Sequence, residues 1–321
     1  MRNRIVLCCL LFLAVITGCT QQRCPSFKTV KPVEQVIQHY NKNASRLPRI
    51  WLRVDLTAVI RNKPSDLVGL PWTFSNGIIM MRKQDDRSKV PDFKLILKEA
   101  GKTVAQVGTS SNDKVYYMWQ TFSNKMPSFF GELKYAGAPN VSKLPIDPIQ
   151  LLSILCVNEL PANLTRAPFV TQTVSTNPCA YVLTYIDRQP ITNKFIARRE
   201  IYFERSVTVG QDSKETELPC RPFMVKIFDQ NGCEVFTAHM ENYKPITLED
   251  VDDEDEPFPV MPTVITMKCN ITGTWLKLNI KHLTTGEEFD SDAYDFWDIM
   301  PAKAKANLKK VDQNLSHPKR K

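Results

Sequence analysis

Trp51-Leu52-Arg53-Val54-Asp55-Leu56-Thr57-Ala58-Val59-Ile60 alternates in character at nearly every step. Leu52, Val54, Leu56 and Ala58 fall on one side; Arg53, Asp55 and Thr57 fall on the other. Successive side chains of a strand point to opposite faces, so this stretch predicts a strand with one buried face. The same period recurs outward from it. Residues 72–81 repeat it, and Phe93, Leu95 and Leu97 alternate with Lys94 and Lys98. Residues 103–107 and 114–120 read as a hairpin turning through 108–113, followed by a candidate strand at 129–135. Further runs lie at 169–175, 181–187, 194–204, 223–228, 233–243, 264–269 and 275–280. Asp229-Gln230-Asn231-Gly232 is a turn sequence, because Asn-Gly tolerates positive φ at both central positions. It predicts residues 221–228 antiparallel to 233–240.

Only two helices interrupt this pattern. Val33, Val36, Ile37 and Tyr40 repeat at helical spacing behind Pro32. Residues 149–157 read as a second helix, capped by Asp147 with Pro148 at its first position. Many short strands with few helices predict a mainly β (α+β) chain built on one antiparallel sheet. Such a sheet must cover its apolar face. Strands run on both sides of the middle helix, and no internal repeat or strong domain boundary is visible.

The chain opens with Arg2 and Arg4, continues with the apolar run 5–16, and reaches Thr17, Gly18 and Cys19. A basic start, a short apolar stretch and small residues before a cut site describe a secretory signal. The run is shorter than the roughly 20 residues a membrane-spanning helix needs. Ile16-Thr17-Gly18-Cys19 resembles the lipobox of bacterial lipoproteins. That resemblance implies cleavage before Cys19, a diacylglycerol on its thiol, and a membrane partner held through that lipid. Thr20, where enteric relatives use Asp to stay in the inner membrane, implies a cell-envelope location at the outer membrane, facing the periplasm. The plain alternative is an ordinary signal in which Cys19 has no special role.

Six cysteines remain after Cys19: Cys24, Cys156, Cys179, Cys220, Cys233 and Cys269. An oxidising compartment allows them to pair, with Cys156–Cys179 and Cys220–Cys233 as local candidates. Buried unpaired thiols are the alternative. The net charge is +8, and from Lys303 to Lys321 seven basic residues stand against one acid, Asp312. That tail reads either as a contact for anionic lipid or polyanions, or as a solvated terminus. The acidic stretch 249–256 reads as a loop.

The element order resembles the LolA/LolB superfamily of lipoprotein-sorting proteins. Two stretches carry the resemblance locally. One is Val107-Gly108-Thr109-Ser110-Ser111-Asn112-Asp113-Lys114-Val115-Tyr116-Tyr117-Met118-Trp119. The other is Glu200-Ile201-Tyr202-Phe203-Glu204 with the later Phe223-Met224-Val225-Lys226-Ile227-Phe228-Asp229-Gln230-Asn231-Gly232. The resemblance implies a curved antiparallel sheet, an unclosed half-barrel covered by helices, with an apolar hollow for acyl chains. It divides the chain into a signal at 1–18, a tether at 19–31, a half-barrel domain at 32–285 and a C-terminal extension with a basic tail at 286–321. Members bind acyl chains or lipoproteins and are not enzymes. A structural or interaction module of the same fold with a filled core is the other reading. Expected on the concave face are Leu52, Val54, Leu56, Phe93, Leu95, Leu97, Leu183, Phe223, Val225, Ile227, Leu276 and Leu278. Trp51, Tyr117 and Trp119 are candidates for its mouth.

Catalytic motifs are absent from the sequence. His39, His239, His282 and His317 form no H-E-x-x-H, no two cysteines stand at C-x-x-C spacing, and 108–111 is not a G-x-S-x-G elbow. His239 beside Glu241 reads as a surface histidine. The acidic loop lacks the glycine of a calcium loop. No cofactor, metal or nucleic-acid partner is expected.

Overall fold

The computed structural model describes residues 30–61, 71–84, 90–122, 127–136, 146–162, 165, 168–188, 195–205, 207–209, 215–217, 220–229, 231–246, 259–284 and 291–313. The signal, Cys19, most of the tether and the acidic loop lie outside the described residues. Helix α1 spans Val33–Ser45. Strands β1 (Arg49–Val59), β2 (Trp72–Arg82), β3 (Asp92–Glu99), β4 (Lys102–Ser110), β5 (Val115–Gln120) and β6 (Ser128–Glu132) follow. Helix α2 spans Pro148–Ile154. After it come β7 (Phe169–Thr176), β8 (Cys179–Arg188), β9 (Phe195–Glu204), and the short pair β10 (Val207–Val209) and β11 (Glu215–Glu217). The chain continues through β12 (Pro222–Phe228), β13 (Glu234–Pro245), β14 (Val260–Cys269) and β15 (Trp275–Thr284). It closes with α3 (Phe296–Ile299), α4 (Ala302–Ala306) and β16 (Leu308–Lys310).

Fourteen strands form one sheet in the order β16-β6-β5-β4-β3-β2-β1-β15-β14-β13-β12-β9-β8-β7. The order does not return on itself, so the sheet is unclosed, with β16 and β7 at its edges. Every pairing is antiparallel except β16 on β6. β1 sits mid-sheet between β2 and β15, which joins the two halves of the chain into one structure. Register follows the apolar period. Leu52 lies opposite Ile79, and Ile79 opposite Leu95. Leu56 lies opposite Leu278, Leu278 opposite Ile265, and Ile265 opposite Met240. A slip of one residue would turn this whole row to solvent, which fixes the register.

α1 covers one part of this inner face with Val36, Ile37, Tyr40 and Ala44, all buried. Tyr40 meets Phe203 edge-on at 5.9 Å. The helix runs past the predicted end at Tyr40 because two asparagines, weak helix formers, are held by tertiary bonds. Asn41 exchanges two hydrogen bonds with the Leu160 backbone, and Asn43 two with that of Val260. α2 covers another part with Leu151, Leu152 and Ile154. Asp147 Oδ1 accepts the Ile149 amide at 2.9 Å, as an N-cap should. The helix stops before its predicted end, since Cys156 takes φ +60°, outside helical space.

The β4–β5 turn is 111–114, later than the sequence suggests, and Gly108 lies inside β4. Its place is steric: a Cβ there would overlap the Phe93 carbonyl oxygen and approach the Tyr117 hydroxyl at 2.9 Å. β5 is buried along its whole length. Its outer residues Val115, Tyr117 and Trp119 lie beneath Phe296, Met300 and Ala304. Residues 291–313 are therefore packed structure, so the described part of the basic tail at 303–321 is not a solvated terminus. Turn residue Asp113 accepts the Phe296 amide at 2.6 Å, and Asn112 donates to Asp295 at 3.2 Å.

The far end of this segment is clamped by charge. Glu132 on β6 accepts from Lys134 and Lys310, each at 2.6 Å, and Asp312 accepts the Glu132 amide at 2.7 Å. The two lysine hydrogen bonds hold the Glu132 carboxyl down at about 2. A carboxyl depressed in the folded state contributes stability that is present above its ordinary pKa and is lost as pH falls through the depressed one. Stability is expected to fall between roughly pH 4, the ordinary glutamate range, and about 2. Glu132→Gln should flatten that part of the curve in thermal melts recorded across the range.

The thiols differ from the expected pairs. Cys156, Cys220, Cys233 and Cys269 are not in disulfides, and Cys179 is disulfide-bonded. Cys156–Cys179 and Cys220–Cys233 are thus not the pairs formed. Cys156 packs 3.4 Å from the Met240 sulfur and 3.7 Å from the Tyr243 hydroxyl, serving as a buried small side chain.

Candidate functional site

Leu52, Val54 and Leu56 from β1, Phe93, Leu95 and Leu97 from β3, and Leu183 from β8 all lie in the inner core, none more than 2% exposed. Val225, Leu276 and Leu278 join them, and Ile227 packs against the same core partly buried. Phe223 does not. A bulge between Pro222 and Met224 breaks the β12 alternation there, and the ring packs on Tyr202 at a centroid distance of 6.3 Å. Tyr202 alternates with the inner residues Ile201 and Phe203, so Phe223 belongs to the outer side. The bulge carries no sequence signal in a run as apolar as Phe223-Met224-Val225.

The three aromatic candidates for a mouth lie on the outer side as well. Tyr117 and Trp119 are buried under the C-terminal segment. Trp51 lies beside Arg53 and His282, with the guanidinium 5.4 Å from its ring centroid. His239 is exposed on β13.

Among the described residues, two openings lie beside α2, one on each flank. A crevice of about 20 Å³ lies between α2 and β13–β15, with Leu151 and Gln150 on one side and Phe236, Met267, Cys269 and Leu276 on the other. A larger cleft of about 300 Å³ lies on the other flank, where Ile149, Leu152 and Ser153 face Lys83, Val90 and Arg199. The first holds about one water molecule. The second is mixed in character, apolar along α2 and charged at its rim. Sequence reasoning missed Arg199 because a charged residue in an alternating strand reads as outward. Here its register partners are Tyr185 and Ile227, both on the inner side. Its guanidinium stands 4.9 Å from the Tyr185 ring centroid.

The charge of Arg199 acts on the buried groups around it. Burial pushes the Tyr40 phenol well up and takes the Cys156 thiol and Tyr185 phenol each to about 12, while the Arg199 charge opposes all three shifts. Cys156 is therefore a protonated thiol at neutral pH and a poor nucleophile. Among the described residues no three metal-ligating side chains converge, and no helix is long and apolar enough to cross a membrane.

No family model and no curated protein matches the chain. Several solved structures do. The chain is similar to structures of the LolA superfamily. A LolA superfamily protein from Nitrosomonas europaea aligns with TM-score 0.41 at 9% identity, over 83% of this chain and 99% of that one. A Vibrio parahaemolyticus domain described as outer membrane lipoprotein-sorting aligns with TM-score 0.47 at 10% identity, over 82% and 97%. A DUF1329 family protein from Desulfovibrio piger aligns with TM-score 0.49 at 9% identity, over 84% and 100%. At such identities the likeness concerns the course of the chain and not its chemistry.

Proposed function

We propose that this is a non-enzymatic, lipid-anchored envelope protein that takes up an acyl chain, free or carried by a lipoprotein, between α2 and the inner face of the sheet. The anchor would be the lipid on Cys19, with Thr20 directing the protein to the outer membrane, facing the periplasm. The observation that carries the reading is the position of α2. A helix of seven residues lies between two openings, so displacing it would join them into a single channel. Uptake is passive: burying ten methylenes contributes about 8 kcal/mol before ordering costs. A second reading has its own support. The candidate inner residues are already buried against α1 and α2, as in a filled-core interaction module.

Native mass spectrometry separates the two. The signal-less Cys19→Ala form carries no covalent lipid, so any lipid it holds is cargo. A stoichiometric lipid adduct, identified after organic extraction, is expected. A clean apo mass that stays unchanged on incubation with lipid would leave the filled-core reading standing.

A further inference from the structure

Arg199 is an anomaly on the inner face. It is half-buried, its neighbours in register are Tyr185 and Ile227, and among the described residues no carboxylate forms an ion pair with it. The Tyr185 ring 4.9 Å away does not cancel its charge, and a cation drawn toward an apolar face is costly unless an anion neutralises it. The cleft beside it offers room for that partner, about 300 Å³. Its lining is graded. Among the described lining residues Arg199 and Lys83 are basic and Glu159 is acidic. Lys83 donates to the Ala44 carbonyl at 2.6 Å. Val90, Ile149 and Leu152 are apolar and lead toward α2.

We propose that this cleft receives the anionic head of a single-chain amphiphile, a carboxylate or a phosphate. Two of its oxygens would sit on the Arg199 guanidinium, with the hydrocarbon running past Ile149 and Leu152 beneath α2. Arginine suits this because its planar fork presents two parallel N–H groups to such an anion. The proposal rests on the acyl-chain reading and adds the charge of the ligand to it.

The test compares affinities of the signal-less Cys19→Ala protein for palmitate, lysophosphatidylglycerol and neutral monopalmitoylglycerol, each below its micelle concentration. At least one anionic probe is expected to bind about tenfold more tightly than the neutral one, the scale of a charge-assisted pair. Preference for palmitate alone assigns a carboxylate head, and preference for the lysolipid alone assigns a phosphate. Arg199→Met should remove the preference, bringing affinity for the anionic probe down to that for the neutral one, which a merely structural role would not do. Arg199→Lys, a milder change should the first fail to fold, keeps the charge and should lose only part of the preference. Equal binding of charged and neutral probes by the parent protein, or a preference that survives Arg199→Met, overturns the proposal while leaving acyl binding intact. Failure of all three probes to bind overturns both.

Discussion

A protein whose α2 is tied to the sheet is expected to take up no acyl chain. Gln150 on α2 and Cys269 at the end of β14 line the same crevice of about 20 Å³, so a short bridge can join them. Gln150→Cys supplies the second thiol and Cys233→Ser removes the exposed competing one. A disulfide-containing bismaleimide then closes a link that reductant reopens. The magnitude follows from what α2 covers. Lifting it uncovers Leu151, Leu152 and Ile154, at about 1.5–3 kcal/mol each if they reach water. Loss of the Asp147 cap adds about 1 kcal/mol. Ten entering methylenes return about 8 kcal/mol. The terms are of one size, so the helix is poised, and a covalent tie decides the outcome. Binding of a fluorescent fatty acid should fall by more than about 100-fold in the tied form, since a ligand must favour the open state to shift it. It should recover on reduction. A tied protein that binds normally would mean that the chain enters elsewhere or that α2 is a fixed part of the core.

What the sequence could and could not reveal follows from the range of each interaction. Alternation in residues 51–60 is local, and β1 forms there with its burial alternating as the pattern predicts. The turn at 229–232 is also local: Asp229 Oδ1 accepts the amides of Asn231 and Cys233, and β12 pairs with β13 as predicted. Phe223 was misplaced because a bulge changes the face without changing composition. Arg199 was missed because alternation assigns a charge outward, and only the register across β8 and β12 shows it pointing in. The Asn112-Asp113 turn was legible as a turn, but not as the dock for Asp295 and Phe296, which lie 183 residues away in the chain. The final strand was hidden for a related reason. Lys309 and Lys310 look solvated in isolation, yet Lys310 completes the clamp on Glu132.

Phe296→Ala should cost the C-terminal segment its hold on β5 and the protein about 3–5 kcal/mol of stability. The ring is fully buried, 4.6 Å from the Tyr117 centroid and 5.8 Å from that of Phe130. Truncating a buried phenylalanine costs about 3–5 kcal/mol, the lost transfer energy plus the cavity left behind. Its neighbour Trp297 is 42% exposed, with ring contacts to Phe130 and Phe296. Trp297→Ala should cost only about 1 kcal/mol, the scale of an aromatic pair. Urea denaturation would rank the two, and trypsin would report the mechanism. Lys303, Lys305 and Lys309 are exposed in the intact protein and should be cut far faster once Phe296 no longer holds the segment to β5. Equal midpoints for the two variants would show that residues 291–313 do not unfold with the sheet. The functional consequence is a separation of faces. The C-terminal segment covers Tyr117 and Trp119 on the outer side, whereas the openings beside α2 lie on the inner side. Phe296→Ala should therefore weaken the fold while leaving acyl uptake intact in the absence of denaturant. Loss of uptake in a variant that is still folded would place the ligand on the outer face instead.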